Sequence, residues 1–377
     1  MAEIGAQKKK ISISFLGNCF YDTRVTNLVS SFKKEGCIVS VTSFDWFIDS
    51  CGYYKNGIKV FKLKKGRIRI LFYLSFAFKL IRELIKSDAD IFLAEDVYTL
   101  PFVTLIGKLK KGKIIYNSRE LYAFIGGLRN RPVIQFMVKT IEKFFIKKVD
   151  LVLTTGEMDS QFLEKFYSIN NTLVLRNVPM MQKPSEKVDF RKMFNIPPDK
   201  VIMLYQGVLL NGRGITMILK AMPYIPDAVF IILGGGEQRK NFENIGRELN
   251  IDERVFFTGA IDQEKLINYT AGADFGLAII ENISISYFHA LPHKIFEYIM
   301  ADLPVLASDL PQMKKIVEMY NVGAVINAGK EECLVNKLKE WVENPSLLDE
   351  FRMNCRRAAE ELNWQSEFDR CKNRILE

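Results

Sequence analysis

From residue 10 onward, short β-branched runs alternate with stretches whose apolar residues recur every three or four positions. Residues 11–16, 38–42, 91–94, 114–116, 151–154 and 173–175 predict strands. These runs are almost continuously apolar rather than alternating, as parallel strands covered on both faces should be. Between the first two, Val25, Leu28, Val29 and Phe32 follow helical spacing, and Gly36 closes the helix. A hydrophilic stretch over residues 181–200, with Pro184, Pro197 and Pro198, reads as a connection between domains. The rhythm then restarts, predicting strands at 201–205, 229–233, 255–258, 275–280, 305–307 and 324–326 and a last helix over 362–376. Repeated strand–helix alternation predicts an α/β chain of two Rossmann-like domains with parallel sheets facing across a cleft. The expected domains are residues 1–180 and 181–361, with 362–377 a C-terminal helix packing back on the first.

Composition supports two full cores. The 377 residues are 48% hydrophobic and 26% charged, which excludes disorder, and no apolar run approaches the ~20 residues a membrane span requires. Lys8, Lys9 and Lys10 before an apolar run imitate a signal peptide, but Asn18, Asp22 and Arg24 cut it short, so a cytoplasmic protein is expected. The six cysteines, Cys19, Cys37, Cys51, Cys333, Cys355 and Cys371, show no metal-ligand spacing and read as reduced thiols. With only His289 and His293, a zinc site or a Ser-His-Asp triad has almost no raw material.

Charge is unevenly distributed. Residues 1–180 hold 29 Lys and Arg against 16 Asp and Glu, a balance of +13, and the remainder comes to −4. No nucleic-acid motif accompanies this charge. Residues 67–86 and 133–148 interleave cations with Phe, Leu and Ile, a pattern that suits either basic amphipathic helices in an anionic headgroup layer or core helices with solvated lysines.

In parallel α/β sheets, ligands sit beyond the carboxyl ends of strands. Four strand-exit loops carry candidate chemistry. One runs from Gly17 and Asn18 through Asp22 to Arg24, and another holds Asn117, Ser118, Arg119 and Glu120. A third, at residues 207–215, flanks Arg213 with Gly212 and Gly214 at a helix start, where amide donors and a cation suit phosphate. The fourth, residues 286–298, places Lys294 and Glu297 at i and i+3, so that an ammonium and a carboxylate would project together. The plainer alternatives are turns, caps, a solvated arginine and a surface ion pair.

The order and spacing of these pieces resemble GT-B glycosyltransferases, specifically the GT4-like retaining group, over nearly the whole chain. The resemblance rests on YDTRVTNLVSSFKKEGCIVSV, KIIYNSRELY, YQGVLLNGRGI, FIILGGGE, VFFTGAI and, most specifically, LPHKIFEYIMADLPVLASD. It implies a nucleotide-diphosphate sugar held mainly by the second domain and a glycan or lipid-linked acceptor held by the first, in cell-surface polysaccharide synthesis. Glu297 matches the second glutamate of the family's E-x7-E motif, which binds the ribose. Arg213 and Lys294 match residues that contact the diphosphate. Gly259, Ala260 and Ile261 would lie near the base, and Gly17 near the diphosphate. Asn18, Asp22 and Glu120 would serve the acceptor. Two positions depart from the family: His289 stands at the first E-x7-E glutamate, and Arg119 at the histidine of the D-x-H-E segment. A guanidinium stays protonated and cannot be a general base, although it could stabilise the leaving diphosphate or position the acceptor. The resemblance also implies transfer with retention and without a metal or other cofactor. A degenerate nucleotide-sugar-binding subunit and a nucleotide-sugar epimerase remain as alternatives.

Overall fold

The computed structural model describes residues 8–46 and 52–377. Cys51 lies outside them, and the five described cysteines are free thiols. The chain forms two compact units, Met1–Arg176 with Glu367–Glu377, and Asn177–Ser366.

The first unit is built on β1 (Lys10–Phe15), β2 (Ile38–Asp45), β3 (Tyr53–Lys55), β4 (Ile58–Lys62), β5 (Ile91–Ala94), β6 (Lys113–Ser118), β7 (Leu151–Thr154) and β8 (Thr172–Val174). They form one sheet in the order β3-β4-β2-β1-β5-β6-β7-β8. All neighbours run parallel except β3, which is antiparallel to β4. The β3–β4 hairpin falls outside the apolar runs because β3 is fully exposed and lysines punctuate both strands. Its signal is Asn56-Gly57, whose φ values of 53° and 82° suit a two-residue turn matched to strand twist. Asp22 caps the helix Thr23–Lys34 by accepting from the Val25 N–H at 3.0 Å. Within the C-terminal helix Trp364–Leu376, Phe368 meets Phe32 edge to face at 5.5 Å, joining the end of the chain to this unit's core.

The second unit carries β9 (Val201–Gln206), β10 (Ala228–Leu233), β11 (Val255–Gly259), β12 (Phe275–Ala278), β13 (Val305–Ser308) and β14 (Gly323–Ile326). The order is β11-β10-β9-β12-β13-β14, all parallel. β9, β10, β12 and β13 are buried along their whole length, which is why their sequences are apolar runs broken only at their ends. Residues 181–200 pack on this unit: Phe190 is buried in the helical turn Phe190–Phe194, and Phe194 stacks on Phe256 at 4.5 Å.

Each sheet reverses its direction of growth once. The chain builds outward from β1 through β2 to β4, then returns to place β5 on the other side of β1. It likewise builds from β9 to β11 and then sets β12 against β9. At such switch points the loops leave in opposite directions and open a crevice at the strands' carboxyl ends. The β1/β5 and β9/β12 exits therefore define where each unit can hold a ligand.

Candidate functional sites

In the second unit, β9 ends in a polar residue buried at the switch point. Gln206 donates from Nε2 to Glu297 Oε2 at 2.5 Å and accepts from the Thr270 hydroxyl at 2.7 Å. Glu297 lies on the helix His293–Met300, and its Oε1 stands 3.0 Å from His293 Nδ1 and 3.3 Å from Gln263 Nε2. Burial alone would push this carboxyl upward. The His293 imidazole, with hydrogen bonds from His293, Gln206 and Gln263, outweighs burial and holds Glu297 down at about 2. The next residue, Tyr298, anchors the helix: its hydroxyl accepts from the Gln206 N–H at 3.1 Å and donates to the Leu277 carbonyl at 3.2 Å. A small hollow beside Glu297 is lined by Gln263, Leu266, Thr270 and Met300.

Lys294 and Glu297 do not project as a pair, contrary to the expectation from their i, i+3 spacing. Glu297 turns toward Gln206 and Gln263, whereas Lys294 turns under the β9 exit. The packing of the helix against β9 and β12 decides this, since Lys294 is buried, Glu297 is partly buried and each follows a different neighbour. Lys294 Nζ lies 3.5 Å from the centre of the Tyr205 ring, and a Cβ placed on Gly207 would stand 3.7 Å from it. Lys294 is only 7% exposed, and its buried Nζ has no hydrogen-bond acceptor. Burial, reinforced by Arg213, drives it well below its ordinary value, with Glu297 opposing. Arg213 is half-buried, lies 5.2 Å over the Tyr287 ring, and makes no ion pair with any described residue. Two cations thus share one end of the sheet with no protein anion bound to either. An anionic ligand would complete both.

The backbone around them is closely built. The Gly207 N–H donates to the Leu233 carbonyl at 2.9 Å, Leu209 to Gly235 at 3.0 Å, and Gly234 to Gly259 at 2.8 Å. Gly234 has φ 143°, and a Cβ there would come 2.0 Å from the Gly207 carbonyl oxygen, so only glycine lets these loops meet. Gly259, Ala260 and Ile261 leave β11 next to this junction, with Gly259 and Ile261 half-buried and Ala260 exposed. His289 ends the short helix Ile285–Phe288, whose N-terminus Ser284 caps, and its carbonyl accepts from Gln312 Nε2 at 2.5 Å.

The first unit concentrates charge at its own switch point. Arg119 Nη2 binds Asp22 Oδ2 at 2.7 Å, Nη1 lies 4.0 Å from Glu95 Oε2, and the guanidinium sits 5.3 Å over Phe15. Burial works against its charge, but Asp22 and Glu95 overcome this and shift Arg119 upward. Beneath it, the wholly buried Arg24 donates to Asn117 Oδ1 and to the Leu175 carbonyl, each at 2.9 Å, while its Nε has no acceptor. The Asn117 amide in turn donates to both Glu95 oxygens, at 3.1 and 3.0 Å. Asn18 binds Asp45 Oδ2 at 2.8 Å, and the Glu120 carbonyl accepts from Ser118. Gly17 packs on the Phe15 ring, where a Cβ would come within 2.5 Å.

Glu95 is fully buried, and desolvation raises it to about 7 against the pull of Arg119 and Arg24. A carboxyl raised in the folded state keeps its proton after the unfolded chain has released one. Stability should therefore fall as pH rises from 4.5 to about 7, by about 3 kcal/mol in all. Urea unfolding across this window tests the sign: Glu95→Gln should flatten the limb, and an unchanged slope would assign it to another group.

Composition and spacing marked Glu297, Lys294, Arg213, Arg119 and Asp22, and placed Arg24 in a candidate loop without a role, but missed Gln206, His293, Gln263 and Glu95. Some signal was present. Glu95-Asp96 follows an apolar strand directly, Gln206 ends another, and His293 precedes Glu297 by one helical turn.

Residues 186–362 match the family described as glycosyl transferases group 1. The uncharacterized glycosyltransferase MJ1059 of Methanocaldococcus jannaschii is 24% identical over 268 residues, covering 66% of this chain and 60% of its own length. Chitobiosyldiphosphodolichol beta-mannosyltransferase of Candida albicans is 23% identical over 372 residues, 86% of this chain and 78% of that one. Among solved structures, Anabaena HepE in complex with UDP-glucose superimposes with a TM-score of 0.75, covering 97% of this chain and 99% of that one at 15% identity. That likeness carries the two-unit α/β architecture.

Proposed function

We propose that this chain is a GT-B glycosyltransferase that moves a sugar from a nucleoside-diphosphate sugar to a glycan or lipid-linked acceptor in polysaccharide synthesis. The observation that carries the reading is the buried Lys294 ammonium without an acceptor, beside a carboxylate held ionised. A diphosphate supplies the anion that Lys294 and Arg213 lack, and ribose hydroxyls are donors suited to Glu297. The family resemblance gives Glu297 the same role, and HepE carries UDP-glucose, which makes UDP-sugars the first donors to try.

Charge development sets the remaining roles. The anomeric C–O bond breaks with its electron pair leaving on the β-phosphate, the acceptor hydroxyl oxygen bonds to the anomeric carbon, and its proton passes to a phosphate oxygen. Lys294, Arg213 and the amides at the start of the helix Ile215–Ala221 oppose the growing negative charge, which lets the reaction run without a divalent ion. Gly259, Ala260 and Ile261 are assigned to the base, Gly17 to the diphosphate, and His289 to the sugar. In the first unit, Asn18, Asp22 and Glu120 are assigned to the acceptor. Arg119, paired with Asp22, acts as a fixed cation and not as a base. The family resemblance implies that the leaving phosphate takes the proton on the face of attack and that the anomeric configuration is retained.

Incubation with radiolabelled UDP- and GDP-sugars and glycan acceptors tests this reading. Transfer or donor hydrolysis is expected, undiminished by EDTA, with the product's anomeric configuration read by NMR. Arg213→Ala should lower turnover by about 10²–10³-fold while leaving the melting temperature unchanged. Nucleotide binding without turnover in every acceptor mixture would instead make the chain a binding subunit.

A further inference from the structure

The helices Arg69–Lys86, Leu100–Leu109 and Pro132–Ile146 of the first unit lie side by side, the middle one touching both others. Their inward residues, among them Phe76, Leu80, Val103 and Ile146, share one core with Phe92 and Tyr116. Their outward residues are also large and apolar. Phe78 is 70% exposed, Leu109 79% and Phe136 69%, and Ile70, Leu74 and Phe144 are more than half exposed. Scattered apolar residues are ordinary on a protein surface, but a run of this size across three neighbouring helices is not.

The charge among these residues has one sign. The only acids in the three helices are Glu83, whose side chain is 9% exposed and pairs with Lys59, and the buried Glu142, which accepts from Tyr116 and Tyr167. Arg69, Arg82, Lys86 and Lys143 are exposed. At the N-terminal end of the first helix, Lys62, Lys64, Arg67 and Lys79 ring a solvent-open hollow of about 570 Å³ over Ile68 and Leu71. Lys79 Nζ is fixed there by donating to the Lys62 carbonyl at 2.6 Å.

We propose that this three-helix face docks on an anionic lipid bilayer, its apolar side chains entering the acyl boundary and its cations meeting lipid phosphates. Charge complementarity selects the occupant. A second copy of this chain would bring cations against cations, whereas a phosphate-rich layer offers both an apolar interior and negative charge. No described helix is long and apolar enough to cross a membrane, so the contact is superficial. This inference goes beyond the donor chemistry, because it uses only residues of the first unit.

Co-sedimentation of the full chain with vesicles tests it. At low salt, binding to phosphatidylcholine vesicles containing about 30 mol% phosphatidylglycerol should exceed binding to pure phosphatidylcholine by roughly tenfold or more, and salt should reduce it. Phe78→Ser combined with Phe136→Ser, at sites too exposed to matter for folding, should lower anionic-vesicle binding by about tenfold or more. Nucleoside diphosphate binding by the second unit should stay unchanged and report that the variant is folded. Arg69→Gln with Lys143→Gln should weaken binding and flatten its salt dependence. Equal binding to both vesicle types, or unaltered binding by the Phe variant, overturns the proposal. So does a dimer in sedimentation analysis that Phe136→Ser dissociates, which would assign the face to a second copy.

Discussion

Lys294→Met should lower turnover by about 10²–10³-fold and, in the same protein, raise its stability. The two effects share one cause. A buried amine without an acceptor is costly to the fold, and a thioether of similar length fills the space over Tyr205 without that cost. Replacing buried charge with apolar volume is commonly neutral or stabilising by about 1–4 kcal/mol. Function reverses the balance, because a diphosphate supplies the missing counter-charge and the Met variant offers it nothing. Burial and Arg213 hold Lys294 well below its ordinary value, and a bound anion should raise it again, so nucleoside diphosphate affinity should strengthen as pH falls and do so less in the variant. Loss of both stability and turnover would make Lys294 a packing residue.

Glu297→Gln should weaken nucleoside binding by about 10–100-fold, the worth of one to two hydrogen bonds to a charged acceptor. It should also change acid stability. Glu297 is held at about 2 in the fold against 4.5 in the unfolded chain, so its ionisation stabilises the protein fully above pH 4.5 and ceases to do so as pH falls toward 2. That difference is worth about 3 kcal/mol, and its side chain is too little exposed for solvent to cancel it. Urea unfolding between pH 6 and pH 2.5 should show the wild type losing this increment while the Gln variant does not. An affinity for nucleotide equal to that for a nucleotide lacking both ribose hydroxyls, in wild type and variant alike, would remove the ribose assignment. The acid limb would then stand alone as a property of the His293–Glu297–Gln206 cluster.

Both predictions concern residues visible in the sequence whose surroundings were not. The apolar runs that became β5, β7, β9 and β10 were legible because burial on both faces leaves a local mark, with nearly every side chain in the run apolar. The strand exits were legible for the same reason, since each begins where the apolar run stops. The β3–β4 hairpin was not read from the apolar pattern, because β3 has no buried residue to mark it and only the turn pair Asn56-Gly57 signals it.

What the sequence determined by itself was the α/β alternation, the two-unit plan and the loops that could hold chemistry, because hydrophobic period and turn preference act over a few neighbouring residues. The tertiary structure decided the strand order that places switch points at β1/β5 and β9/β12. It also decided the divergence of Lys294 from Glu297 and the burial of Arg24 with Glu95 through Asn117. Those outcomes depend on residues tens of positions apart, such as Gln206 with Glu297, whose meeting alters desolvation and charge at a site. A carboxylate at about 2 and another at about 7 are the same functional group in the chain. The neighbours that folding brings to each make them different.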